Sequence, residues 1–225
     1  MEQDEPVQQP EQNIKPETEP TAKEMARLTN LHYLYDKYSK DPKLMESKVI
    51  SELPKGYKIN YGLSNSGVLV VDKKKDRYIS VKGTNPYSPR DLASDFMLSM
   101  GLQKSNPQFQ ERKNHIKGIM RNDPKKNYYL TSHSLGSSIV LQSMVSSPSI
   151  RNITKKAFLF NQGSTPLFEA TLRPTGEVEE ILNKKIESHK HANDLISKSS
   201  GSYGTTYIHR DKKKGLEAHS ISNFI

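Results

Sequence analysis

Residues 128–143 read YYLTSHSLGSSIVLQS. The run opens with aromatic, aliphatic and β-branched residues over the length of a strand, and from Gly136 onward it reads as a helix. Ser132, His133, Ser134, Leu135 and Gly136 therefore fall where a strand turns into a helix. A serine on such a tight turn projects its hydroxyl above the sheet, and the turn needs small residues on either side. The usual pattern is Gly-x-Ser-x-Gly; here Ser132 takes the first glycine position and Gly136 keeps the second. Taken alone, the same residues also describe an ordinary helix N-terminus capped by a serine.

Elements on both sides extend the pattern. Downstream, KKAFLFNQ (155–162) reads as a strand, EVEEILNKK (177–185) as a helix, and KIESHKH (185–191) and GTTYIHRD (204–211) as strands. Upstream, Thr21 and Glu24 stand at capping-box spacing, followed by Met25, Leu28, Leu31, Tyr35 and Tyr38 at intervals of three or four, which predicts an amphipathic helix over 21–40. A second short helix is expected in KLMESKVI (43–50). Residues 57–84 are rich in β-branched and aromatic residues divided by the turn signals SNSG and DKKKD, a three-stranded meander. Ser88 and Pro89 mark the start of a helix RDLASDFMLSM (90–100), and PQFQERKNHIKGIM (107–120) is another. Alternating strands and helices through the second half predict an α/β fold: a mostly parallel central sheet with helices on both faces, preceded by the N-terminal amphipathic helix.

Composition bounds the chemistry. The 225 residues suffice for one domain with a real core although only 33% are apolar. Without cysteine, disulfides, thiolate catalysis and cysteine-ligated zinc are excluded. No apolar run of transmembrane length and no secretory pattern is present, so the reading is a soluble protein, cytoplasmic or associated with a virion. Residues 1–24 hold seven Asp/Glu against two Lys, with four Pro. We expect a disordered acidic tail over residues 1–20 and a single domain over 21–225. Beyond residue 24 stand 32 Lys/Arg and 18 Asp/Glu, about +14. So basic a body attracts phosphate-bearing surfaces, and peripheral association with an anionic membrane is the partner expected. The basic runs DKKKDR (72–77) and RDKKKG (210–215) lack interleaved aromatics, which argues against nucleic acid.

Three further stretches bear on the chemistry. ISVKGTNPYSPRDLASDF (79–96) ends a strand at Gly83 and Thr84 and continues into the segment with Asp91 and Asp95; HKHANDLISKSSGSYG (189–204) carries Asp194; the chain closes with GLEAHSISNFI, containing His219. Together with TSHSLGSSIVLQS these resemble the class 3 lipases, the fungal-lipase-like branch of the α/β-hydrolase fold. The resemblance implies a serine ester hydrolase of lipase or phospholipase type acting on lipid esters. Ser134 would be nucleophile, Asp194 the acid and His219 the base, on a late loop before a final short helix. The backbone N–H groups of Thr84 and Leu135 would form the oxyanion hole, with Asp95 orienting Thr84. No metal or organic cofactor is implied. The order Ser, Asp, His is that of α/β-hydrolases. Lys82 replaces the family's Arg, the stretch between Gly101 and Asn127 lacks an expected Gly-Phe element, and the interval from Asp194 to His219 is short. These departures point to a compact member, intracellular or viral.

Other residues have plainer readings. His133, beside the serine on a tight turn, reads as a packed or hydrogen-bonded neighbour. His209 falls in a strand, His189 and His191 just precede the acid, and His115 and His32 lie on helices. Asp211 is an alternative acid within what reads as a turn, and Asp91 reads as a helix cap. A catalytically inactive hydrolase fold binding anionic lipid or nucleic acid is the competing reading.

Overall fold

The computed structural model describes residues 19–83, 107–163, 174–201 and 203–225. Helix α1 (Ala22–Tyr38) starts on the expected capping box: the Thr21 hydroxyl accepts from the Glu24 N–H, and the Glu24 carboxylate accepts from the Thr21 N–H at 2.9 Å. Helix α2 (Pro42–Lys48) has Pro42 in its first turn and Asp41 as cap, whose carboxylate accepts from the N–H groups of Lys43 and Leu44. The meander follows as β1 (Lys58–Ile59), β2 (Val68–Lys73) and β3 (Asp76–Val81), paired antiparallel.

From β3 onward every pairing is parallel. Helix α3 (Pro107–Asn122) leads to β4 (Asn127–His133) and α4 (Leu135–Ser146); α5 (Pro148–Ile153) leads to β5 (Thr154–Phe160). Helix α6 (Glu177–Lys185) leads to β6 (Ile186–His191), followed by β7 (Thr205–His209) and the short α7 (Gly215–His219). The seven strands lie in sequence order, β1 to β7, in one sheet. Helices α5 and α7 are missed from sequence: six and five residues carry too little periodicity to stand out, although Pro148 at the first turn of α5 is a start signal. The helix expected over 90–100 and the tail up to residue 18 lie outside the described residues.

Strand alternation sends successive side chains of β4 to two cores. Tyr128 and Leu130 join Val70, Ile79, Ile116 and Val140 beneath α3 to α6, whereas Tyr129 packs with Leu69, Tyr78 and Phe158 beneath α1 and the C-terminal turn. Helices thus cover both faces, and the parallel strands all end at one edge of the sheet.

Leu130 is fully buried at the middle of the central strand, so Leu130→Ala should lower the unfolding free energy by about 2–5 kcal/mol in urea titrations. Leu195→Ala, at a site 67% exposed, should stay within about 0.5 kcal/mol of the parent.

Candidate active site

The turn between β4 and α4 places Ser134 at φ 56°, ψ −130°, in the half of conformational space that side chains with a Cβ avoid. A residue held there costs about 1–3 kcal/mol and persists only where its surroundings fix it. The Ser134 N–H donates to the Phe160 carbonyl at 3.0 Å, and its carbonyl accepts from Ser137 and Gly163 N–H groups at 3.0 and 3.1 Å. Two glycines let β3 press against the turn. A Cβ on Gly136 would stand 2.3 Å from the Val81 carbonyl oxygen, and one on Gly83 would stand 2.5 Å from the His133 carbonyl oxygen. Backbone meets backbone here, with no room for a side chain.

Ser134 Oγ lies 2.8 Å from His219 Nε2, and His219 Nδ1 lies 2.9 Å from Asp194 Oδ2. A carboxylate only accepts, so Nδ1 carries the proton and Nε2 is left to accept from the Ser134 hydroxyl. All three residues are buried. Asp194 sits three residues past β6, where its oxygens also accept from the Ile196 N–H at 3.0 Å and the Ser197 N–H at 3.2 Å. Burial pushes its pKa up, but the hydrogen bonds and charge of His219, with those from residues 196 and 197, outweigh it and hold the carboxyl below its ordinary range. The arrangement can activate a hydroxyl: a base oriented by an ionised acid stands ready to take the serine proton.

His219 is the last residue of α7, followed by a 3-10 turn (Ile221–Phe224), rather than lying on a loop before a final helix. Two buried side chains grip the backbone beside it. Asn161, at φ 40° just past β5, donates through Nδ2 to the Ala218 carbonyl at 2.9 Å, while its Oδ1 accepts from the His191 N–H at 2.8 Å. One amide thereby ties the end of β6, which delivers the acid, to the helix that carries the base. His133 Nε2 donates to the carbonyl of His219 itself at 2.6 Å, which leaves Nδ1 to accept from the Tyr33 hydroxyl at 3.1 Å. Sequence reasoning passed over Asn161 and gave His133 no partner. The usable signal for the first was an Asn directly after an apolar strand, a residue type enriched at positive φ.

The other histidines and acids are placed elsewhere. His209 Nε2 lies 3.0 Å from His189 Nδ1, and His189 Nε2 lies 2.8 Å from Glu187. Asp211 accepts from His191 Nε2 at 2.8 Å and is not bonded to His219. His115 meets Asn65 at the surface, and His32 is buried against Ser80. Leu135 is the first residue of α4, so its N–H has no acceptor within the helix and stands beside the Ser134 hydroxyl's own turn. Thr84, Asp91 and Asp95 lie outside the described residues. Among the described residues no three His, Asp or Glu side chains cluster as a metal site would require, and no helix is long and apolar enough to cross a membrane.

Comparison with solved structures finds this architecture in fungal lipases. The native lipase–propeptide complex of Rhizomucor miehei aligns with a TM-score of 0.51 at 13% identity, covering 90% of this chain and 76% of that one. The lipase of Rhizopus microsporus var. chinensis aligns at 0.50 and 12% identity over 83% of this chain and 74% of its own, and Lip2 lipase of Yarrowia lipolytica at 0.50 and 12% over 83% and 76%. The fold is that of an α/β-hydrolase. No family profile and no curated protein sequence matches the chain.

His32 and His133 are buried, and burial, aided at His32 by the charges of Lys82 and Arg112, pushes both pKa values down to about 3. The unfolded chain binds these protons near pH 6.5 and the folded chain does not, so their contribution is complete above pH 6.5 and is lost as pH falls toward 3, at about 1.4 kcal/mol per pH unit for each. Urea midpoints should therefore drop steeply between pH 6.5 and 4. His32→Phe should make that slope shallower.

Proposed function

We propose that the protein is a serine hydrolase that cleaves carboxylic esters of lipids. The observation that carries this reading is the line from Ser134 Oγ through His219 to Asp194, 2.8 and 2.9 Å long, on a strained turn at the carboxyl edge of the sheet. His219 takes the Ser134 proton as the hydroxyl oxygen attacks the ester carbonyl. Asp194 holds the imidazole and stabilises it once charged. The N–H groups of Leu135 and, by the resemblance above, Thr84 receive the oxyanion, with Asp95 orienting Thr84. Collapse expels the alcohol, which takes the proton from His219, and water then releases the acid by the same path. A binding module would have no use for a strained, buried Ser134 bonded to a base.

The lipid preference rests on what surrounds the site. Leu195, directly after the acid, is 67% exposed, and Leu216, on the helix of the base, is 45% exposed. Large apolar side chains in water beside catalytic groups suit an acyl chain or a lipid surface. The fold's solved neighbours are named lipases, which agrees with this choice.

A fluorophosphonate probe should label Ser134 alone, read by peptide mapping; labelling that persists in Ser134→Ala would remove the assignment. His219→Ala and Asp194→Asn should each lower ester turnover by about 10³-fold or more with unchanged circular dichroism. Among p-nitrophenyl esters, rates should rise from acetyl to octanoyl.

Asn161 acts through backbone position and not by touching substrate. Asn161→Ala should lower kcat on a short ester by about 10²-fold with KM nearly constant, and Asn161→Asp, which sets a second oxygen against the Ala218 carbonyl, should lower it at least as far. A change confined to KM would contradict a positioning role.

A further inference from the structure

Four neighbouring parallel strands begin on lysine pairs. Lys74 and Lys75 form the turn into β3, and Lys125 and Lys126 precede β4. Lys155 and Lys156 open β5, and Lys184 and Lys185 close α6 immediately before β6. The register sets these starts side by side: Asp76 pairs with Asn127, Tyr128 with Thr154, and Ala157 with Ile186. Direct contacts bind the pairs together, since Lys126 Nζ donates to the Lys74 carbonyl at 2.7 Å and Lys185 Nζ to the Arg151 and Asn152 carbonyls, just ahead of β5.

The acids at this edge are occupied. Asp72 is bonded to Arg77 at 2.7 Å, Asp123 lies 3.7 Å from the same guanidinium, and Glu187 is shared by Lys156 and His189 at 2.8 Å each. Lys75, Lys125, Lys155 and Lys184 are exposed, and among the described residues none has a carboxylate within 4 Å. With strands about 4.8 Å apart, the row is about 15 Å wide. Ser134 and Asp194 follow the opposite ends of the same strands, about 20 Å away at about 3.3 Å per residue. The other basic run, Lys212–Lys214, is at the catalytic edge and is flanked by Asp211 and Glu217.

One carboxylate marks what covers the row. Glu19 Oε2 lies 3.5 Å from Lys156 Nζ, so the chain enters α1 from this edge. Upstream, residues 1–18 carry five carboxylates, on Glu2, Asp4, Glu5, Glu11 and Glu17, against the single Lys15. Eighteen residues reach at most about 60 Å, several times the width of the row. Tethering gives the segment an effective concentration of order millimolar over the lysines, which weak ion pairs need to hold it.

We propose that the acidic segment 1–18 docks on the lysine row at the amino edge of the sheet and shields it from external polyanions. The surface is independent of the hydrolase reading. Carbodiimide cross-linking of the full chain, mapped by mass spectrometry, tests it at about 10 mM salt, where the screening length is about 30 Å, and at about 1 M, where it is about 3 Å. Links from the five carboxylates to Lys75, Lys125, Lys155 and Lys184 are expected at low salt, reduced at least fivefold at high salt. Links chiefly to Lys212–Lys214, links between isotopically distinct copies, or none, would overturn the proposal.

A second measurement needs no cross-link. Converting the five acids to amides should raise the salt needed to elute the protein from heparin, and by a clearly smaller amount in the background Lys75→Gln, Lys125→Gln, Lys155→Gln, Lys184→Gln. Equal shifts in both backgrounds would show that the tail acts only through net charge and would also overturn it.

Discussion

The contact between the backbones of β3 and α4 fixes the rest of the molecule. Gly83 and Gly136 allow the end of β3 to lie against the Ser134 turn where a single Cβ would collide with a carbonyl oxygen. This closeness sets where the first N–H of α4 faces relative to the chain leaving β3, and so where an oxyanion could be received. It also explains how Ser134 tolerates its positive φ. The turn is held from three sides by bonds to Phe160, Ser137 and Gly163, and relaxing it would break all three.

A parallel sheet then divides the labour between its edges. Every crossover returns the chain to the same start, so strand ends collect at one edge and the loops there can differ without disturbing the core. Asp194 rides on such a loop and His219 on the five-residue α7 beyond β7, and segments this short would alone leave them loose. Asn161 and His133, each rooted at a strand end, clamp the carbonyls of residues 218 and 219. A buried carboxylate would ordinarily be protonated or expelled; Asp194 stays ionised because three donors converge on it.

Much of this could be read from the sequence, for identifiable reasons. The capping box, the turn signals of the meander and the apolar run before Ser134 are local codes, each tied to the backbone geometry that it produces. The helix 177–185 was legible to the residue because Gly176 precedes it and its helix-forming Glu and Lys residues end at Ile186, where the strand begins. Ser134 was legible from its strand-to-helix turn, whereas Asp194 and His219 were legible only through the resemblance of their segments and the order Ser, Asp, His, since no local pattern marks an acid or a base. The partners of the braces were not legible: Asn161 and His133 act on carbonyls 57 and 86 residues away, and such pairs leave no trace in spacing. Helix α5 was hidden by its length, and the position of His219 at a helix end by the brevity of α7.

Identity of 12–13% with proteins of the same architecture raises the question of what the fold demands. Two positions that depart from the expected motifs show how this chain meets it. Ser132 stands where a glycine is usual, and its hydroxyl is buried 3.2 Å from that of Ser137 in the next turn, so this position needs only a small residue that can satisfy its own polarity. Lys82 stands where Arg is usual; its ammonium pairs with Asp36 on α1, and its carbonyl accepts from Arg112 on α3 at 2.6 Å. Lys82 and Arg112 thus anchor the end of β3 to both faces. In this chain the turn therefore depends on the approach of backbones at Gly83 and Gly136 and on the anchoring of the strand that makes it. Side chains around them can change so long as each buried polar atom finds a partner.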